Sequence, residues 1–295
     1  MHKKIIFDCD NTMGVQGADV DDGLALIYLL GKMDAEICGI TTTYGNSDVE
    51  TVYTNTQRML HEIGRSDIPF FKGCPDNHTH ISDAVDFLVK TVDADPGSIS
   101  ILATGSLTNI YAAFLKDPLF FQKTAEIVVM GGITEPLIIN ERNLDELNFS
   151  CDLEAVKVLM ENGRNISIIT GNNCLKAFFS REEFIGKLNC PSPSTHYLRD
   201  NCMYWFTHIM KIFETDGFYN WDVVAAVYLM DRSLFTDCFK MLKTNLEDLK
   251  QGFLLFDDTK DSQHSGLPFI NLPVITDSRD FIEEVYTTWL SFHIK

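Results

Sequence analysis

Short apolar, β-branched runs alternate along this chain with longer segments in which apolar residues recur every three or four positions. The runs are typical of buried strands, and they include IIF, AEICGITT, SISILA, AEIVVM and ISIIT. The longer segments, of which DDGLALIYLL is the first, are typical of helices that bury one face. This order predicts an α/β fold, in which helices flank both faces of a mostly parallel central sheet.

Local signals place several helix starts and leave one long segment irregular. Ser47 with Glu50, and Ser180 with Glu183, have the spacing of capping boxes. The second pair opens a helical region that extends to Phe213 and is broken at PSPS. By contrast, ITEPLIINERNLDELNFSCDLEA has no clear period, and long loops in compact domains are usually functional.

The end of the chain predicts one more apolar helix, several short strands and a closing helix. Asn220 precedes the apolar helix, and Trp221 and Asp222 lie in its first turn. Shorter strands are predicted in DCFKMLKTNLEDL, GFLLFDD and GLPFINLPVITD, before a final helix in RDFIEEVYTTWLSFHI. No linker divides the chain, so residues 1–295 are expected to form one domain.

Four carboxylates stand close together near the amino terminus. Asp8 and Asp10 fall at the carboxyl end of the first predicted strand, and Asp21 and Asp22 begin the first helix. Open α/β sheets bind ligands at that edge. Acids packed this closely repel one another unless a cation lies among them or their protons stay on. Ca²⁺, which accepts six to eight oxygen ligands, fits better than the strictly octahedral Mg²⁺.

Two alternatives to a cation site among these acids stay open at this point. Asp21 and Asp22 also suit an ordinary helix start, and Asp8 a solvated strand end. His78 and His80, one residue apart in a predicted loop, are a second candidate for metal binding, although a substrate-facing loop explains them equally well. The convergence of four acids favours the first site.

Composition excludes several classes of partner. The 295 residues carry a formal net charge of −18, which argues against binding to nucleic acid or to an anionic membrane. Eight cysteines without a CxxC pair are typical of free thiols in a reducing compartment. Neither a signal peptide nor an apolar run of membrane-spanning length is predicted, so a cytoplasmic protein is expected.

IIFDCDNTM resembles the first motif of the haloacid dehalogenase-type phosphatases. That resemblance implies a Mg²⁺-dependent phosphatase in which Asp8 is the nucleophile and Asp10 the general acid. The family also has an acidic metal-binding pair after a later strand. ISIITGNNCLKAFF offers no acid there, so this remains the alternative interpretation.

A broader resemblance connects the whole chain with the nucleoside hydrolases, which cleave the N-glycosidic bond of ribonucleosides and have a Rossmann-like α/β fold. The family's DxDPGxDDxxAL becomes DCDNTMGVQGADVDDGLAL, with a loop longer by seven residues. ATGSLTN resembles its TGxLTN turn, and MGG its next strand end. ELNFSCDLEA resembles EFNxxxDPEA, and NWDVVAAVY its last aspartate-bearing helix.

This resemblance implies a Ca²⁺ ion held by Asp10, Asp22, Asp222 and the carbonyl of Thr104, with Asp8 in support. It implies that Asp10 removes a proton from a Ca²⁺-bound water that attacks the sugar. The site residues implied for binding the ribose are Asp21, Asn148 and Asp222 at its 2′ and 3′ hydroxyls, Asn140 and Glu146 at its 5′ end, and Asn46.

The resemblance also predicts which nucleobase the substrate carries. One branch of the family has a histidine just before the last metal-binding aspartate, which protonates the leaving base, whereas this chain has Trp221. A tryptophan there resembles the purine-preferring branch, which implies a catalytic role for Trp221: stacking on it raises the basicity of the purine ring so that solvent can protonate it. Purine ribonucleosides are therefore the expected substrates. Other candidates for the base pocket are His78, His80, Tyr204, Trp205, His208 and Tyr219. A homodimer or homotetramer is implied, and a nucleoside-binding protein without catalytic activity is a further alternative.

Overall fold

The strands and helices alternate along most of the chain. The structure is a computed structural model and describes residues 2–257 and 269–294. Its strands are β1 (Lys3–Cys9), β2 (Ala35–Thr42), β3 (Phe70–Lys72), β4 (Ile99–Ala103), β5 (Glu126–Met130), β6 (Leu137–Ile139), β7 (Arg142–Leu144), β8 (Ile166–Ile169), β9 (Phe178–Ser180), β10 (Gly217–Tyr219), β11 (Phe235–Thr236), β12 (Phe239–Met241), β13 (Phe269–Asn271) and β14 (Val274–Ile275).

Helices follow most of these strands. They are α1 (Asp21–Gly31), α2 (Val49–Glu62), α3 (Asp83–Ala94), α4 (Thr108–Lys116), α5 (Phe120–Lys123), α6 (Leu153–Asn162), α7 (Gly171–Cys174), α8 (Arg181–Lys187), α9 (Pro193–Phe213), α10 (Trp221–Met230), α11 (Leu246–Leu249) and α12 (Ser278–Ser291), with a 3-10 helix at Arg232–Leu234. None of these described helices is both long and apolar enough to cross a membrane.

Eight strands form the central sheet in the order β12-β13-β8-β5-β4-β1-β2-β3. All neighbours are parallel except β12, which pairs antiparallel with β13. Three two-stranded sheets, β9–β10, β11–β14 and β6–β7, lie outside it. The predicted α/β class with a mostly parallel sheet is thus confirmed.

The register of β1 brings the strand ends together. β1 lies between β2 and β4, with Asp8 opposite Thr41 on one side and Ala103 on the other. Its last five residues are buried, as expected for a strand covered on both faces. The residues that follow these three strands therefore meet at one edge of the sheet.

Two apolar clusters cover the two faces of the sheet. The cluster on one face contains α1, α10 and α12, where Trp289 Nε1 donates a hydrogen bond to the Leu24 carbonyl at 3.1 Å. The other contains the inner faces of α3, α4 and α6. α1 and α10 are buried almost all round, because their sequences are mostly apolar, so the prediction that α1 buries one face was wrong. These two helices are therefore held firmly by the core.

Several local predictions were wrong. The side chain of Asp48, not Ser47, caps α2, because it accepts the Thr51 N–H at 2.9 Å. The segment that lacks a clear period contains the β6–β7 hairpin. GFLLFDD forms only isolated bridges, at Phe253 and Phe256. Parts of the predicted strands, at 258 and at 266–268, lie outside the described residues.

Candidate active site

The amino-terminal ends of α1 and α10 meet at the sheet edge. The Asp222 N–H donates to Asp21 Oδ2 at 3.3 Å. Carboxylate oxygens of Asp21, Asp22 and Asp222 all lie within 4.8 Å of one another. Each residue is at most 3% exposed. Helix amino termini favour negative charge, so both helices stabilise the carboxylates that they bring together.

Asp10 lies beside this cluster at the end of β1. Its Oδ2 accepts the Asn46 N–H at 2.5 Å, and its carboxyl group interacts directly with that of Asp22. Gly45 and Gly105 approach it so closely that a Cβ on Gly45 would overlap Asp10 Oδ2, and one on Gly105 would lie 3.0 Å from Asp10 Cγ. Glycine is therefore required on both sides of this carboxylate.

Thr104, directly after β4, connects the acids with the rest of the site. Its Oγ1 donates to Asp22 Oδ1 at 2.6 Å, and its backbone N–H donates to the Asp8 carbonyl at 2.9 Å. Its carbonyl accepts from Asn148 Nδ2 at 2.9 Å. A carbonyl oxygen has two lone pairs, so the carbonyl of Thr104 retains capacity for a cation.

Asp8 is built into the scaffold. Its Oδ1 accepts hydrogen bonds from Thr41 Oγ1 at 2.5 Å and from Asn109 Nδ2 at 2.8 Å. Burial raises the pKa of Asp8 to about 7. The residue does not line the cavity described below. Asp8 therefore connects β1 to β2 and α4 and is poorly placed to attack a substrate.

The donor set of the cluster fits a hard divalent cation. Burial raises the pKa of Asp10 to about 6, and burial followed by the charge of a neighbouring acid raises the pKa of Asp22 and of Asp222 well above the usual range. Within the described part of the chain, these carboxylates form no ion pair with a basic side chain. Asp22 Oδ2 is buried without a hydrogen-bond partner. Desolvated carboxylates without a counter-charge suit an oxygen-ligated cation such as Ca²⁺.

The histidine pair lies elsewhere. His78 is exposed in its loop, and the ring of His80 contacts Tyr111 edge-on at 5.1 Å. Among residues 2–257 and 269–294, the three aspartates are the one group whose ligand atoms are close enough to hold a metal. The structure therefore gives no support to a metal site at the histidines.

A cavity of about 510 Å³ opens beside the acids. Its polar lining includes Asp19, Asp21, Asn46, Thr104, Asn148 and Asp222. Its apolar lining includes Leu137 and Ile139 of β6, Trp205, Ile209 and Phe213 of α9, Phe218 and Tyr219 of β10, and Trp221. No lysine, arginine or histidine among the described residues lines it. The cavity thus combines an acidic, amide-rich wall with an aromatic one.

Most predicted site residues come together here. Asp21, Asn46, Thr104, Glu146, Asn148, Trp221 and Asp222 line the cavity. Asp10 and Asp22 do not, but they hydrogen-bond to Asn46 and Thr104, which do.

Asn140 is a third predicted site residue that does not line the cavity. It is exposed in the turn of the β6–β7 hairpin, with a φ of 49°. Its Nδ2 donates to the Phe213 carbonyl at 3.0 Å, so it attaches the hairpin to the end of α9. The prediction assumed an irregular segment, whereas the hairpin turn places this side chain against the end of α9 and not in the cavity lining.

Glu146 lines the cavity but is largely engaged by the protein. Its carboxylate accepts backbone N–H groups of Gly132, Phe149 and Ser150 at 2.9–3.2 Å. It therefore fixes the turn that presents Asn148. Asn148 Nδ2 in turn donates to the carbonyls of Thr104 and Met130.

Sequence reasoning missed residues of the lengthened loop and of the hairpin. Gly17, Ala18 and Asp19 line the cavity, as do Asn143 and Asp145. Burial, followed by the charge of Asp21, raises the pKa of Asp19 well above its usual range. The extra length between Asp10 and Asp21 was the available signal, but it did not show which way the loop turns.

The aromatic candidates divide into two groups. Trp205 and Tyr219 line the cavity with Trp221, whose ring centroid lies 5.5 Å from that of Tyr219. Tyr204 and His208 stand behind this wall. The Tyr204 hydroxyl accepts the Gly14 N–H and donates to the Ala18 carbonyl, each at 3.1 Å, and His208 stacks on Trp205.

Comparisons with known proteins agree with this geometry. The family model described as "Inosine-uridine preferring nucleoside hydrolase" matches residues 5–282. Uridine nucleosidase 1 of Arabidopsis thaliana is 24% identical, over 93% of this chain and 88% of that protein. The inosine-uridine preferring nucleoside hydrolase of Leishmania major is 26% identical, over 57% and 60%.

Solved structures show the same fold. The plant nucleoside hydrolase PpNRh1 superposes with a TM-score of 0.85 at 23% identity, over 98% of this chain and 99% of that one. The purine-preferring ribonucleoside hydrolase from Gardnerella vaginalis gives a TM-score of 0.83 at 23% identity, over 98% of both chains.

Proposed function

Because the chain belongs to the inosine-uridine preferring nucleoside hydrolase family and is therefore a glycosidase that hydrolyses ribonucleosides, we propose that it prefers purine ribonucleosides, requires Ca²⁺ and uses Asp10 as its base. One observation carries the proposal: acids that follow β1 and begin α1 and α10 converge beside a cavity whose other wall is aromatic. A ribonucleoside has the same division, with a polyhydroxylated sugar and a flat base.

The acidic wall is proposed to hold the sugar. Asp21, Asp222 and Asn148 present short acceptors and an amide to the 2′ and 3′ hydroxyls, and Asn46 adds a further amide beside Asp10. Negative groups also favour the reaction, because the sugar becomes positively charged as its bond to the base breaks. The same charges repel phosphate, so nucleoside monophosphates are expected to be poor substrates.

Asp10, Asp22, Asp222 and the Thr104 carbonyl are the proposed ligands of the cation. When bound there, Ca²⁺ would lower the pKa of a water molecule and hold the ribose hydroxyls. Asp10 is proposed to take the proton from that water, because it lies next to Asp22 and is held in place by Asn46. Thr104 Oγ1 keeps the Asp22 carboxylate oriented through its 2.6 Å hydrogen bond.

The aromatic wall is proposed to bind the base. Trp221 lines the cavity one residue before Asp222, and stacking on its indole favours the larger purine ring. Relatives named uridine nucleosidases and a pyrimidine-specific ribonucleoside hydrolase from Citrobacter koseri, 26% identical, make a pyrimidine preference the second candidate.

Steady-state kinetics separate the two preferences. We expect kcat/KM for inosine and guanosine to exceed that for uridine and cytidine by at least tenfold. A higher kcat/KM for uridine would overturn the purine preference and leave nucleoside hydrolysis itself intact.

Two other interpretations predict different products. A phosphatase acting through Asp8 would release phosphate, but both the burial of Asp8 and its bonds to Thr41 and Asn109 oppose this role. A nucleoside-binding protein without activity would bind inosine and release nothing. A reducing-sugar assay with inosine, run beside a phosphate assay with inosine monophosphate, distinguishes all three.

Assembly and location stay predictions. The family resemblance implies a homodimer or homotetramer, and the composition implies a cytoplasmic protein. Light scattering after size-exclusion chromatography measures the mass directly; a mass of 33.4 kDa would contradict the predicted oligomer.

A further inference from the structure

The base that leaves a nucleoside carries the electrons of the broken bond, so it departs faster when a donor supplies a proton. The described lining of the cavity contains no histidine, lysine or arginine to do this. The acids proposed to bind the sugar and the cation act as anions, and Asp19 lies beside Asp21 at the same wall. The base is proposed to stack on the aromatic wall, so a protein donor that reaches it directly, in addition to solvent, belongs to that wall.

Tyr219 is the phenol in that wall. It ends β10, where it pairs with Phe178 of β9, and its ring lies between those of Phe178 at 5.2 Å and Trp221 at 5.5 Å. The strand pairing fixes the backbone of Tyr219, and the two ring contacts restrict its side chain.

The hydroxyl of Tyr219 is available. The residue is half-buried, and its hydroxyl makes no hydrogen bond to any residue of the described chain. The Tyr204 hydroxyl, by contrast, already hydrogen-bonds to the backbone of Gly14 and Ala18. The other side-chain donors of the aromatic wall are the indole N–H groups of Trp205 and Trp221, which are far weaker acids than a phenol. Burial raises the pKa of Tyr219, which keeps the phenol protonated at neutral pH.

We propose that Tyr219 is a catalytic residue whose phenolic O–H protonates the departing nucleobase. The inference rests on the proposed function and adds to it the group that assists the leaving base. The carbon–nitrogen bond to C1′ breaks, and its electron pair stays on the base. The phenol proton moves to a ring nitrogen or exocyclic oxygen of the base.

The other half of the reaction balances this transfer. The water oxygen bonds to C1′, and its proton passes to Asp10 and then to solvent. The phenolate of Tyr219 takes a proton back from solvent. The net change is the addition of one water across the glycosidic bond.

Dependence on the leaving group tests the role of Tyr219. Tyr219→Phe keeps the ring and removes only the hydroxyl, so the thermal midpoint is expected to stay unchanged. We expect kcat for inosine to fall about 10²-fold or more, the low end of general acid catalysis. With p-nitrophenyl β-D-ribofuranoside, whose leaving group needs no proton, kcat is expected to change less than threefold.

Tyr53→Phe is the matched control, because the ring of Tyr53 packs against Phe70 and does not line the cavity. It is expected to leave both substrates unaffected. An equal loss on both substrates in Tyr219→Phe, or no loss on inosine, would overturn the role of Tyr219. If the unmodified enzyme hydrolyses neither substrate, the proposed function fails first and the inference with it.

Discussion

Asp10 shows how tightly the surroundings of one carboxylate are determined. The backbone N–H of Asn46 holds one oxygen, Asp22 adjoins the other side, and two glycines remove any Cβ that would displace it. Such fixation matters for a base, because proton transfer depends on the position of the accepting oxygen. The position of this strand-end carboxylate is therefore fixed by residues on three other segments.

Replacing Asp10 with Asn tests its role as base. The amide has the same shape but cannot accept the proton, so we expect kcat for inosine to fall by about 10² to 10⁴-fold. Asp145→Asn removes one negative charge from the cavity wall and serves as control, with an expected change below threefold. Activity of Asp10→Asn within threefold of the unmodified enzyme would refute the assignment.

Asn140 is a residue for which sequence and structure make opposite predictions. A contact with the 5′ hydroxyl would make Asn140→Ala lose discrimination between adenosine and 5′-deoxyadenosine. The structure instead predicts an unchanged ratio of kcat/KM for the two, with the free energy of unfolding lowered by about 1 kcal/mol, because two hydrogen bonds to the end of α9 are lost.

Asn143→Ala is the matched control on the same hairpin. Asn143 lines the cavity. If the hairpin contacts the 5′ hydroxyl of the ribose, Asn143→Ala is expected to lower the ratio of kcat/KM for adenosine to kcat/KM for 5′-deoxyadenosine. A lower ratio in Asn140→Ala but not in Asn143→Ala would restore the prediction made from the sequence.

At the scale of elements, the lengthened loop at 11–20 is fastened to two helices. From α2, Asn55 donates to the carbonyls of Asn11 and Met13, and Arg58 also donates to Met13. From α9, the Tyr204 hydroxyl bridges Gly14 and Ala18. The loop therefore forms a fixed wall of the cavity in this structure.

Tyr204→Phe tests whether this wall shapes binding. The variant loses both hydrogen bonds of the hydroxyl, so we expect a decrease of about 1 kcal/mol in the free energy of unfolding. KM for inosine is expected to rise severalfold while kcat changes less than twofold, because the acids stay in place. Tyr197→Phe, on the same helix but bonded to Glu62, is the control and should leave KM unchanged. A fall in kcat at constant KM would contradict the proposed wall.

Helix starts show the limit of local signals. Ser180 caps α8 as its spacing with Glu183 predicts, since its side chain accepts the Glu183 N–H. At α2 the same spacing fails, because Asp48, one residue later, is an equally good cap and the extended backbone there suits it. Two adjacent candidates can be separated only by the path of the preceding loop.

At the scale of the whole molecule, the buried acids connect pH, metal and stability. An acid whose folded-state pKa is raised binds more protons in the folded than in the unfolded protein, so it lowers stability as pH rises through the interval between the two pKa values. For Asp10 and Asp8 that interval extends from the ordinary pKa near 4 to about 6 and about 7. Without a cation, these groups therefore destabilise the protein increasingly up to neutral pH.

Ca²⁺ is expected to reverse this effect, because its ligands must be deprotonated and it binds the folded state. We expect the rise in thermal midpoint on adding Ca²⁺ to be several degrees larger at pH 8 than at pH 5. Because the thermal midpoints with and without Ca²⁺ are compared at the same pH, the contribution of exposed carboxylates is the same in both and cancels. Asp22→Asn, which is nearly isosteric, should lose the rise at pH 8; an equal rise at both pH values would contradict a cation among these acids.

The sequence by itself determined the alternation of strands and helices, the acids at the end of β1 and at the start of α1, and the helix that carries Trp221 and Asp222. These features depend on periodicity and spacing over a few residues, which local chemistry fixes. The resemblance to family motifs added the expectation that Asp222, far away in sequence, lies beside the amino-terminal aspartates.

Only the tertiary structure decided which side chains line the cavity. The meeting of Asp21 with Asp222 depends on the packing of α1 against α10, across 201 positions of sequence. The hairpin that turns Asn140 outward, and the loop that brings in Asp19, depend on docking to α9. Contacts between remote segments are set by sheet register and helix packing, and neither is encoded in any short stretch of the chain.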